Sequence, residues 1–240
     1  MALRPAIFCA ILSLTPSPSM ALGEFHATYE LAVGALTVGE MSRTFEVDAN
    51  GAYKFVSTFE TTGLAALLRK EKVYETSSGS IIDGTFVPDH YTYVRKSKKK
   101  PRKVDMRFNR EILEIETVVD AQRWTAALAA GVLDKLVYQA ALMEDLAAGR
   151  QELEYLIADR GKEKTYRPEI QETGLIDTRL GQLETIKVVR ESKNSKKKTV
   201  FWCASKLDFL PVRVLHRNKD GSETIVSLIQ YKIPTRSRGD

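Results

Sequence analysis

The chain is poor in the residues that most often carry chemistry. Across 240 residues it has two cysteines, Cys9 and Cys203, three histidines and two tryptophans. Cys9 lies within the segment read below as a cleavable export signal, so Cys203 alone is expected to remain; one cysteine cannot form an internal disulfide, and the core must hold by burial alone. His26, His90 and His216 stand on separate segments, without the i, i+2 or i, i+4 partner that aims two imidazoles at one metal. No metal site is expected.

Catalytic motifs are missing as well. There is no nucleophile elbow, phosphate loop or dinucleotide fingerprint, and Gly34, Gly39, Gly51, Gly63, Gly79 and Gly84 are isolated turn or bulge residues. Glu114 with Glu116, and Glu152 with Glu154, alternate along single strands, the pattern of a solvated face. A glycosidase pair normally comes from separate elements. Cys203 has no neighbour that would depress its pKa. No cofactor and no enzymatic activity are expected.

Long apolar runs are absent too, with one informative exception at the start. Arg4 supplies a positive charge, Pro5 to Leu14 is apolar, and a Pro and Ser segment ends in Ser19-Met20-Ala21, a small-x-small site. Residues 1–21 therefore read as a cleavable export signal, cut after Ala21, and the remaining chain is expected in the periplasm. The apolar part is about half of the roughly 20 residues a bilayer-spanning helix needs, and Cys9 sits in its middle, not at its end where lipid attachment would require it. Residues 22–233 read as a single β-rich domain and 234–240 as a disordered tail.

What is abundant is alternation with period two. Phe25, Ala27, Tyr29, Leu31 and Val33 share one strand face, and His26, Thr28 and Glu30 the other. Asp48-Ala49-Asn50-Gly51 supplies a tight hairpin before Tyr53, Phe55, Ser57 and Phe59 resume the pattern. Asp83-Gly84, Asn109-Arg110 and Asp220-Gly221 punctuate later strands in the same way. Such a succession implies a mainly β fold, a large antiparallel meander closing into a barrel or half-barrel.

Two helices are expected within it. Over 132–148, Leu133, Leu136, Val137, Ala140, Met143 and Ala147 recur at helical spacing, Lys135, Gln139 and Asp145 form the polar face, and Gly149 caps the end. The second, over 63–69, is short and apolar nearly all round, so Leu64, Leu67 and Leu68 should pack on the barrel or close its mouth.

The formal net charge is +5, and its excess is concentrated in two runs, Lys96 to Lys103 and Lys193 to Lys198. Both fall between strands, so their ammonium groups reach solvent. Neither holds the aromatic residues on which bases stack, so nucleic acid is not the expected partner. Lys98, Lys99, Lys100, Arg102, Lys196, Lys197 and Lys198 are instead candidate contacts for an anionic membrane surface or lipopolysaccharide.

With these elements laid out, the chain resembles the exported bacterial family catalogued as domain of unknown function 3108. The resemblance is carried by Tyr29, Val33, Gly34 and Gly39 in the opening strands, by Tyr53 and Gly63, and by Ser78-Gly79 with Pro88 and Tyr91. It continues through Asp134, Leu136 and Tyr138, Leu180-Gly181 with Thr185 and Val188, Trp202, and Leu210-Pro211-Val212. It departs at Val137, where a small polar residue is expected, and in the weight of the two lysine runs. The resemblance implies a secreted or periplasmic meandering barrel with no catalytic residues to carry over.

Large meandering barrels often leave an interior that side chains do not fill. The first functional expectation is therefore a lipid or other amphiphile bound inside, against Leu64, Leu67, Leu68, Leu136, Tyr138 and Met143. The alternative is an interaction protein of envelope or surface-polysaccharide biogenesis with a filled core. A lined void favours the first and tight aromatic packing the second.

Overall fold

A computed structural model describes residues 22–192 and 196–234. The expected export signal, most of the expected tail and Lys193 therefore lie outside the described residues.

The chain folds largely as strands: β1 (Phe25–Val33), β2 (Leu36–Val47), β3 (Ala52–Thr61), β4 (Glu71–Ile82), β5 (Thr85–Ser97), β6 (Arg102–Asn109), β7 (Glu114–Val119) and β8 (Gln122–Ala127). After a helical interlude come β9 (Tyr155–Ala158), β10 (Glu163–Tyr166), β11 (Glu169–Thr178), β12 (Gly181–Glu191), β13 (Lys198–Ala204), β14 (Leu210–Arg217) and β15 (Glu223–Lys232). Helix α1 (Gly63–Leu68) joins β3 to β4, and α2 (Val137–Ala147) lies between β8 and β9.

Thirteen strands form one antiparallel sheet in the order β11-β12-β13-β14-β15-β1-β2-β3-β4-β5-β6-β7-β8, and β9 with β10 forms a separate hairpin. The last strand returns to the first, so β1 sits in the interior of the sheet between β15 and β2. The edges β8 and β11 are not hydrogen-bonded to each other. The sheet is thus an open barrel, the half-barrel form of the expected architecture.

The turns do what their residues require. Asp48 Oδ1 accepts from the backbone N–H groups of Asn50 and Ala52 at 2.8 and 3.0 Å, fixing the β2–β3 hairpin. Asp83 and Gly84 both have positive φ, 49° and 73°, the pairing that matches a two-residue turn to the twist of its strands.

The interior is largely filled. At one end Phe25, Phe45, Phe55, Tyr53 and Phe86 pack ring on ring, with centroid separations of 5.4 to 6.2 Å. Elsewhere α2 fills the space, burying Val137, Tyr138, Ala140, Leu142, Met143 and Leu146. Two sequence expectations are corrected here. The helix begins at Val137, not at 132, because Leu133 pairs in parallel with Ile157 and so keeps the preceding segment extended. Nor is α2 an amphipathic helix lying on a sheet, since buried residues occupy most of its circumference.

The short helix departs further. Leu64, Leu67 and Leu68 are 68, 83 and 88% exposed, and α1 has no buried residue. Its leucines therefore do not pack into the core as the sequence led one to expect, none of them lines the cleft described below, and the helix starts at Gly63, whose φ is 56°.

Candidate functional site

A cleft of about 420 Å³ lies between the inner face of β4, β5 and β6, the segment entering α2, and the turn of the β9–β10 hairpin. Alternation builds its wall: Tyr91, Tyr93 and Arg95 come from β5, Arg102, Val104 and Met106 from β6, and Glu75 from β4. Register pairs Tyr93 with Val104 and Arg95 with Arg102, so the two arginines stand side by side. Lys135, Ala158, Asp159 and Arg160 complete the lining.

The charges are unevenly matched. Asp159 is buried and takes ion pairs from Lys135, Lys164 and Arg160, the last at 3.0 Å. Burial alone would raise its pKa, but the three cations hold the carboxyl well below the usual range. Glu75 moves the other way: burial raises its pKa, only partly offset by the 2.5 Å hydrogen bond it accepts from Tyr91. Arg95 Nε donates to the Lys100 carbonyl at 2.7 Å. Arg95 and Arg102 make no ion pair among the described residues, and Arg102 Nε is buried without a hydrogen-bond partner. The cleft therefore presents two neighbouring guanidinium groups beside an apolar wall of Tyr93, Val104 and Met106.

Behind it runs a buried polar chain. Tyr53 Oη and Ser77 Oγ are 3.1 Å apart, and Ser77 donates at 2.5 Å to Asp134 Oδ2. Asp134 Oδ1 accepts from the N–H groups of Leu136 and Val137 and so starts α2. Burial raises this carboxyl from 3.8 to about 7. Cys203 is fully buried, which pushes its thiol pKa up and leaves it a packing residue.

The residues singled out from sequence fall elsewhere. Leu136, Tyr138 and Met143 are core residues, 1, 4 and 2% exposed, and none lines the cleft. Lys98, Lys99, Lys100, Lys196 and Lys197 are exposed on loops, and Lys198 opens β13, 2.9 Å from Glu191. Arg102 is a correction: it is the first inward residue of β6, in phase with Val104, Met106 and Phe108, and faces the cleft instead of an external surface. Arg95, Lys135, Asp159 and Arg160 were not foreseen. Alternation from Tyr91 through Tyr93 would have placed Arg95 on the inner face.

An open antiparallel meander, filled by one helix and carrying an arginine-lined cleft, defines a barrel-like class of protein. The chain belongs to the family described as Protein of unknown function (DUF3108), whose model matches residues 28–227. Among solved structures it is similar to a beta-barrel-like protein of domain of unknown function DUF1849 from Brucella abortus. That likeness has 10% identity and a TM-score of 0.60, and covers 89% of this chain and 99% of that one. A protein from Parabacteroides distasonis provisionally titled a lipoprotein matches at 10% identity and a TM-score of 0.34, over 88% of this chain and 96% of that one. Comparison with the curated proteins returns no match.

Proposed function

We propose that this is a non-enzymatic exported protein of the bacterial envelope that binds a small anionic amphiphile in the cleft between β5, β6 and the Asp159–Arg160 turn. The observation that carries the reading is Arg102, whose Nε is buried beside an apolar wall with no partner. Leaving a buried charged donor unsatisfied costs free energy, and a carboxylate or phosphate is the group a guanidinium fork matches best. Tyr93, Val104 and Met106 offer the apolar contact for a short tail. The volume falls within the roughly 300 to 1,000 Å³ usual for small-ligand sites. The apolar segment of residues 1–21 supports export to the periplasm.

Mass analysis of molecules extracted from the purified protein, with titration of a fluorescent fatty-acid analogue, tests this. Arg102→Ala should weaken the analogue by about ten- to a hundredfold, as loss of a charge-assisted hydrogen bond requires. Equal binding by the variant, with no acidic amphiphile in the extract, rejects the site.

A second reading, an interaction protein of envelope or surface-polysaccharide biogenesis, is favoured by one observation: α2 and the aromatic cluster fill most of the interior. On that reading Arg102→Ala leaves the analogue unaffected and the outer surface does the work.

A further inference from the structure

Strand register brings features far apart in sequence to one rim of the barrel. The pairings Val33 with Leu36, Glu60 with Lys72, and Arg95 with Arg102 put the β1–β2, β3–β4 and β5–β6 connections at the same end. On the other side of β1, Ala32 pairs with Ile225, Arg217 with Glu223 and Glu191 with Lys198. The β14–β15 and β12–β13 connections therefore lie at that end too. This rim carries the exposed helix α1, the exposed Lys98, Lys99 and Lys100, and the exposed Lys196.

Its chemistry is apolar at one point and basic around it. Leu64, Leu67 and Leu68 project from α1, and Val33 and Leu36 are also exposed at the β1–β2 turn, 44 and 49%. Most acids of the rim are already engaged: Glu60 with Lys72, Glu71 with Arg69, Glu191 with Lys198, Glu223 with Arg217, and Asp220 within its own turn through Ser222, while exposed Glu40, opposite Glu60, has no ion pair among the described residues. Asp120 accepts from the backbone of Lys103. Lys70, Lys98, Lys99, Lys100 and Lys196 make no ion pair among the described residues. The two lysine loops are separated along the sheet by the seven strand spacings that run from β13 through β1 to β5, about 34 Å at about 4.8 Å per spacing.

We infer that this rim docks on an anionic phospholipid bilayer, with the α1 leucines entering the interface and the flanking lysines meeting headgroup phosphates. A bilayer supplies an apolar layer beneath a broad negative surface, which matches leucines on a projecting tip flanked by separated positive loops. The rim adjoins the cleft at Arg95 and Arg102, but none of the docking residues lines the cleft, and docking does not depend on the amphiphile reading.

Sedimentation with vesicles of phosphatidylglycerol mixed with phosphatidylcholine, against phosphatidylcholine alone, tests it. The purified protein should bind the mixed vesicles and lose them as salt is raised. Combined Lys98→Gln, Lys99→Gln, Lys100→Gln and Lys196→Gln should weaken binding by about 100-fold or more, since each lysine near such a surface contributes roughly fivefold. Combined Leu64→Ser, Leu67→Ser and Leu68→Ser should also weaken it, leaving a residual binding that salt abolishes. All these side chains are exposed, so unchanged melting temperatures are expected and separate lost docking from lost fold. No binding by the parent, equal binding to phosphatidylcholine alone, or vesicle binding unaffected by the leucine variant overturns the proposal. So does binding confined to lipopolysaccharide.

Discussion

Asp134 and Ser77 meet inside the barrel through a 2.5 Å hydrogen bond, and neither side chain reaches solvent. The contact ties the start of α2 to β4, and Tyr53 extends it to β3. It holds the filling helix to the sheet at the point where the chain turns inward.

This linkage has a pH signature. The Asp134 carboxyl is raised to about 7 in the fold and returns to about 3.8 when unfolded. Between those values the native state keeps a proton that the unfolded state has released, so stability falls as pH rises from about 4 to 7 and levels off above. Denaturant midpoints across this range should show the decline against Asp134→Asn, in which that contribution is missing. Parallel pH profiles for the two proteins would contradict it. Asp134→Ala also removes the acceptor for two backbone N–H groups and should cost more than the Asn variant at every pH.

What could be read beforehand was local. Phe25 to Val33 and Tyr53 to Phe59 show their inner faces by alternation, and Asp48 to Gly51 and Asp83-Gly84 announce their turns. The pairing of β1 with β15 is a contact between chain ends that no local pattern records, yet it sets the strand order. Leu133 defeats the helical periodicity because a parallel bridge to Ile157 outweighs propensity. Arg102 was read as a loop cation because it belongs to a basic run, although its phase with Val104 turns it inward. The α1 leucines were expected to be buried because apolar surface usually is, and their exposure is legible only in three dimensions.

The open sheet is buttressed where Trp124 of β8 lies against Gly161 in the β9–β10 turn. A Cβ on Gly161 would fall 1.5 Å from the indole Nε1, and its φ is 72°. Gly149 has a similar φ of 70° and nothing nearby. Gly149→Ala should therefore cost only left-handed strain, about 1 kcal/mol, while Gly161→Ala must also displace the indole and should cost about 2 kcal/mol more. Urea midpoints measure the difference, and a shifted tryptophan emission in the Gly161 variant alone identifies its source. Equal costs would mean that the indole moves aside freely.

Asp159 anchors the other side of the cleft, and its variant separates stability from binding. The carboxyl is 4% exposed and serves Lys135, Arg160 and Lys164, whose side chains are 35, 45 and 46% exposed. Its pKa is lowered in the fold, so its contribution is present above the unfolded value near 3.8 and is lost as pH falls below it. Asp159→Asn should cost about 2 kcal/mol near neutral pH. That is less than the roughly 3 to 5 kcal/mol of a fully buried pair, because the three cations can turn to water. The same change removes a negative charge from the cleft and leaves Lys135, Arg160 and Lys164 without their carboxylate partner. A protein that melts earlier yet holds the fluorescent fatty-acid analogue at least as tightly is therefore the expected outcome. Weaker binding with unchanged melting would mean that Asp159 contacts the ligand directly, and the charge assignment of the cleft would have to be reversed.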